Sequence, residues 1–134
     1  MFLEENQAVV LWATTASPEP DDDPPAYQVV NGEPTEWHVE HEHLSGFLVV
    51  MLHWQGAFGG AMRCCGTAVV PPELVGRLDR DWPFVGEVNR MRAYGRPGQA
   101  ICFLRWEDSW RIFAGASTQR HFVAIATELS LRWE

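Results

Sequence analysis

The sequence predicts an α+β fold: a largely antiparallel sheet packed against a central buried helix and a C-terminal helix. Three observations carry this. Short β-forming runs at Val9 to Trp12, Ala26 to Val30 and Gln99 to Ala114 are bounded by turn residues. Two segments, Leu44 to Phe58 and Gln119 to Leu129, place apolar residues at helical spacing. The order of strands, helix, strands and helix lacks the regular alternation of a βαβ array.

Taken in order, Val9 to Trp12 reads as a buried strand that ends after Thr15. The stretch Ser17 to Pro25 holds four Pro and three consecutive Asp, so it can join neither ladder nor helix and is expected as an exposed loop. Ala26 to Val30 resumes as a strand, and Asn31-Gly32 fits a type I′ turn. Thr35 to Glu42 then alternates Trp37, Val39 and His41 with Glu36, His38, Glu40 and Glu42, which predicts a strand with one wet, carboxylate-lined face.

Leu44 to Phe58 is apolar nearly all round, the mark of a buried helix. Ser45 is the expected N-cap, with Leu44 and Val49 as a hydrophobic staple and Gly59-Gly60 as the left-handed stop. Residues 61–99 give weak signals: a strand at Gly66 to Val70, a short helix at Glu73 to Leu78, then mixed sequence. Gln99 to Trp106 and Trp110 to Ala114 flank the polar turn Glu107-Asp108-Ser109 as a hairpin. In the last helix Phe122, Ile125, Ala126 and Leu129 share a face.

At 134 residues the chain is expected to form a single domain, 1–134. With 46% hydrophobic and 21% charged residues it has a globular composition. A net charge of -8 disfavours nucleic acid and anionic membranes as partners, because both are bound through Lys and Arg. All ten basic residues are Arg. The N-terminus shows no signal-peptide pattern and no apolar run is long enough to span a bilayer, so the expected location is the cytoplasm. Three Cys, Cys64, Cys65 and Cys102, form no disulfide framework.

Motifs for chemistry are absent. His38, His41 and His43 lie close in sequence to one another, but strand parity would send His38 to the face opposite His41 and His43, and neither a C-x-x-C nor an H-E-x-x-H spacing occurs. No G-x-S-x-G, P-loop or G-x-G-x-x-G is present. No catalytic residue, metal or cofactor is therefore expected, and neither Cys64 nor the His cluster sits in a motif that would make the chain a hydrolase. Asn6 and Gln7 are expected to hold a backbone turn, and Phe47, Met51 and Trp54 to pack as core.

The unusual feature is charge segregation. The first 62 residues contain ten of the 18 carboxylates and no Lys or Arg, whereas the remaining 72 hold eight carboxylates against ten Arg. Such a field steers basic partners, although it would also keep an aromatic-rich protein soluble.

The segment Phe2-Leu3-Glu4-Glu5-Asn6-Gln7-Ala8-Val9-Val10-Leu11-Trp12 resembles the F-L-x-E-N-Q-x-x-x-x-W segment of the SUKH superfamily. Asp22-Asp23-Pro24-Pro25 is similar to its D-D-P-P step, and Leu44-Ser45-Gly46-Phe47-Leu48 with Met51-Leu52-His53-Trp54-Gln55 to its L-S-x-F-L helix. The chain departs from the family in beginning at the E-N-Q segment, without the usual preceding helical stretch. The resemblance implies an α+β immunity-type domain that binds a cognate bacterial toxin, with Asn6, Gln7, Trp12 and Trp54 as structural motif positions. The expected interface comprises Asp21, Asp22, Asp23, Glu33, Glu36, Glu40 and Glu42, facing a basic toxin surface such as that of a nuclease. A scaffold or regulatory module using an aromatic groove is the alternative. The oligomeric state is not read from the sequence.

Overall fold

The computed structural model describes residues 3–4, 10–15, 21–30, 36–60 and 62–134. The expectations for Asn6, Gln7, Glu33 and the Asn31-Gly32 turn lie outside these residues. The fold is α+β, with two antiparallel sheets and three helices among the described residues. The chain divides into two compact units, Met1–Leu48 and Val49–Glu134. Among the described residues no helix is long and apolar enough to cross a membrane.

In the first unit, β1 (Leu3–Glu4), β2 (Val10–Ala13), β3 (Ala26–Val30) and β4 (His38–His41) pair in sequential order, each antiparallel to the next. β2 and β3 fall where the β-branched and aromatic runs predict them. Trp12, Ala26, Val29 and Phe47 are buried. Trp12 packs on Phe47, the first buried residue of α1 (Leu44–Ala57), with ring centroids 5.7 Å apart.

The second unit is built on a five-stranded antiparallel sheet in the order β5 (Cys64–Val69), β9 (Ser109–Ala116), β8 (Gln99–Trp106), β7 (Met91–Arg96), β6 (Phe84–Val88). Its faces follow from strand alternation. One carries Tyr94, Ile101, Phe103, Ile112, Ala114 and Ala68, which form a core with Leu74 and Leu78 of α2 (Leu74–Asp81) and Ile125 and Leu129 of α3 (Gln119–Leu129). The amphipathic pattern of α3 is seen as predicted, and Thr118 caps it by accepting from the His121 N–H.

The opposite face receives the second half of α1. Its residues meet a row of small side chains: Val50 lies against Gly86 of β6, His53 against Gly95 of β7, and Gly56 against Ala100 of β8 and Gly115 of β9. Gly95, Ala100 and Gly115 are directly paired across three strands, so the row is continuous. A helix backbone can approach a sheet this closely only where Cβ atoms are small or missing. α1 stops at Gly59, whose φ of +92° suits glycine, and the Gly60 N–H closes on the Gln55 carbonyl at 2.8 Å.

Three expectations are corrected. The helix predicted as central and buried is buried along one face only: Phe47, Val50, Met51 and Ala57 are enclosed, while Leu48, Val49 and Leu52 are exposed, Leu52 at 70%. A stretch apolar all round need not be covered all round, because composition does not say what packs against it. Ser45 is not the N-cap, and Val49, being exposed, forms no staple with Leu44, which is itself the first helical residue. The mixed sequence after the short helix is a hairpin, β6 to β7, turned by Asn89 and Arg90 with φ of 50° and 61°. A type I′ turn needs two left-handed residues; Asn signals this and Arg does not, which hid the hairpin.

Candidate functional site

The candidate surface lies in the first unit, where the sequence concentrates its carboxylates. Tyr27 pairs with Val39 and Gln28 with His38, but Ala26 pairs with His41. Glu40 is thus the extra residue of a β-bulge, and the bulge reverses side-chain parity on either side of it. The uniform wet face predicted for Glu36, His38, Glu40 and Glu42 therefore does not form. The Glu40 side chain is only 6% exposed, with Oε2 3.8 Å from His38 Nε2. Val39, expected to face inward, is 54% exposed, and Trp37 is 41% exposed. Glu36 and Glu42 are exposed as expected.

The same bulge overturns the parity reasoning about histidines. Gln28 and Ala26 share a face of β3, so their partners His38 and His41 share a face of β4. Even so, among the described residues no three His, Cys, Asp or Glu side chains are grouped to hold a metal ion. The His41 ring lies over Gly46, and its Nδ1 accepts the His43 backbone N–H at 3.1 Å.

Residues 21–25 of the acidic loop are placed by helix chemistry. The first turn of α1 presents N–H groups that lack intrahelical partners. The Leu44 N–H donates to the Pro24 carbonyl at 2.8 Å, and the Ser45 N–H to Asp23 Oδ1 at 2.8 Å. The Ser45 hydroxyl donates to Asp23 Oδ2 at 2.6 Å. Asp23 therefore caps a helix that begins some twenty residues later, and the two bonds from Ser45, the hydroxyl first, hold its carboxyl below the ordinary 3.8. His43 Nδ1 lies 3.8 Å from the same carboxylate. Asp21 Oδ1 accepts the Asp23 N–H at 3.1 Å, and Asp21 and Asp22 are exposed.

Of the predicted interface, Asp21, Asp22, Glu36 and Glu42 are exposed carboxylates, whereas Asp23 is a helix cap and Glu40 is largely covered. Trp12 is core, in keeping with a structural role; Trp54, in the second unit, packs edge-on against Phe58 at 5.7 Å. Phe58 in turn stacks on Phe113 at 4.2 Å, and Trp106 meets Phe113 at 6.0 Å, giving an aromatic row whose Phe58 and Trp106 are exposed. Cys64, a conceivable nucleophile, donates its thiol to Gln119 Oε1 at 3.3 Å.

The fold and surface define an α+β protein with an acidic, partly apolar patch on one sheet. Compared with known proteins, the chain matches no family model, no curated protein and no solved structure.

Proposed function

We propose that the protein is a cytoplasmic immunity-type protein that acts by binding, without catalysis, and neutralises a cognate bacterial toxin through a basic surface, such as a nuclease uses to hold nucleic acid. One observation carries this: Glu36, Trp37, Val39 and Glu42, within seven residues of one another in sequence on and beside β4, are all exposed in a 62-residue stretch devoid of Lys and Arg. An aromatic anchor beside carboxylates supplies both the desolvated centre and the charged rim that interfaces with basic proteins use. The motif resemblance to the SUKH superfamily supports a toxin as the class of partner. Asp21 and Asp22 extend the acidic field.

The test is to read the gene neighbourhood and co-express the protein with a toxin-like domain found encoded there; a neighbourhood without one overturns the immunity reading. The immunity reading expects restored growth and a complex whose association slows as salt rises. Glu36→Lys with Glu42→Lys should cut the on-rate about tenfold or more, in the range that steering charges control. A rescuing complex indifferent to salt and to both reversals overturns the electrostatic interface. No rescue by the intact protein overturns the immunity reading itself.

A second reading is favoured by the row Trp54, Phe58, Phe113 and Trp106: a scaffold or regulatory module that uses this aromatic surface and has no toxin partner. It expects binding to be lost on Phe58→Ser or Trp106→Ser and kept on reversal at Glu36 and Glu42.

A further inference from the structure

Five of the ten guanidiniums, all of which lie in the second unit, are matched by carboxylates. Arg92 pairs with Asp79 at 2.8 Å and Glu87 at 3.7 Å, Arg96 with Glu128 at 2.8 Å, and Arg111 with Glu134 at 2.5 Å; Arg77 and Arg80 pair with Asp81. Two of the other five meet at one place. Arg90 and Arg105 line a single surface cavity of about 460 Å³ with Asn89, Leu104, Glu107 and Trp110. Among the described residues neither makes an ion pair within 4.0 Å, although Glu107 lines the same cavity.

The topology forces this juxtaposition. The turns of the β6–β7 and β8–β9 hairpins lie at the same end of the sheet, because β7 and β8 run antiparallel with Arg92 opposite Phe103. Arg105 is paired with Trp110 across the β8–β9 ladder, and Trp110 is held flat by stacking on Phe103, 5.1 Å away at 12°. Arg90 reaches the site from a left-handed backbone position, φ 61°, that an L residue enters at a cost. Like charges brought to neighbouring strands repel, and a dianionic oxyanion offers each fork a bidentate partner. The indole of Trp110, on the same face of the sheet as Arg105, provides an apolar wall for the group that carries it.

We propose that this cavity binds a small phosphate monoester bearing a planar or apolar group, with Arg90 and Arg105 on the phosphoryl oxygens and Trp110 against the organic part. Glu107, the one carboxylate in the lining, disfavours a second anionic group and selects for a single phosphoryl head. The site is independent of the acidic surface of the first unit.

The test is a titration of the full chain followed by ¹⁵N-resolved NMR of the Trp110 indole N–H, its resonance assigned through Trp110→Phe. The probes are phenyl phosphate, inorganic phosphate and phenol. Phenyl phosphate should shift the Trp110 signal saturably, bind about tenfold more tightly than inorganic phosphate, and weaken by about tenfold in either Arg90→Gln or Arg105→Gln. Arg132→Gln, which changes an Arg outside the cavity lining, should leave binding intact, and unchanged dispersion of the remaining amide signals shows that each variant is folded. Equal binding of phosphate and phenyl phosphate overturns the role of the apolar wall. No saturable shift, or binding untouched by both Arg substitutions in folded protein, overturns the site.

Discussion

Asp23 shows how a residue chosen for its charge can be committed to structure. Its two oxygens take the N–H and hydroxyl of Ser45, so its ionised form is the folded form. Because this carboxyl is held below 3.8 in the folded chain, its contribution is present above that pH and is lost as pH falls through the folded value. Asp23→Asn should lower the urea midpoint at pH 7, and the gap from wild type should shrink as pH is taken below 3.8. Tyr94 has the opposite sign. Burial, then the bond from its hydroxyl to Asp79 at 2.7 Å, push it up to about 12 from an ordinary 10.0. Its contribution is complete below pH 10 and disappears as pH rises toward 12, so an alkaline stability profile of Tyr94→Phe should lack the decline seen in wild type over that window.

At the scale of elements, the glycine row beneath α1 and the exposed strip above it make opposite predictions from similar-looking residues. A Cβ at Gly115 would run into the backbone carbonyl of Gly56, which cannot step aside without moving the helix. Gly115→Ala should cost about 3 kcal/mol or more, as overpacking of a tight core does. Gly76, inside α2, has nothing within 4 Å of its would-be Cβ, so Gly76→Ala should stabilise by up to about 1 kcal/mol through helix propensity alone. Along α1, Leu52→Ser should change stability by no more than about 0.5 kcal/mol despite the apolar sequence around it, whereas Phe47→Ala should cost about 3–5 kcal/mol. Chemical denaturation of the four variants checks all of these values, and a large loss on Leu52→Ser would show that the strip is covered.

A second element-scale feature was equally hidden. Arg96 stacks on Trp82 at 3.8 Å, grips both oxygens of Glu128 at 2.8 and 3.0 Å, and donates to the Asp81 carbonyl at 2.6 Å. Trp82 donates its Nε1–H to the same Glu128 at 3.0 Å. One guanidinium thus ties β7, the end of α2 and α3 together. Arg96→Lys keeps the charge but loses the planar fork and the stack, and should lower stability by about 1–2 kcal/mol in the same assay.

At the scale of the whole molecule, charge is divided along the chain more sharply than the fold requires. A protein with ten carboxylates and no basic residue in its first 62 residues should associate with basic proteins at rates that fall steeply with ionic strength. For a cognate toxin, stopped-flow association should slow markedly between low and physiological salt while dissociation changes little. The acidic surface also has an apolar centre, Trp37 with Val39, so Trp37→Ala should act chiefly on dissociation.

The sequence by itself determined the fold class, the limits of β3 and α3, the two strands around Glu107-Asp108, the glycine stop after α1 and the asymmetry of charge. These rest on local chemistry: β-branched runs, period, turn residues and glycine conformations act over a few neighbouring positions. The tertiary structure decided which carboxylates face solvent, what caps α1, how far that helix is buried and where Arg90 meets Arg105. Each depends on a partner distant in sequence. One inserted residue at Glu40 reversed the parity that the alternation predicted, and a loop aspartate about twenty residues away took the cap that Ser45 was expected to supply. A period of two carries side-chain direction only while the ladder keeps register, and register is a property of two strands.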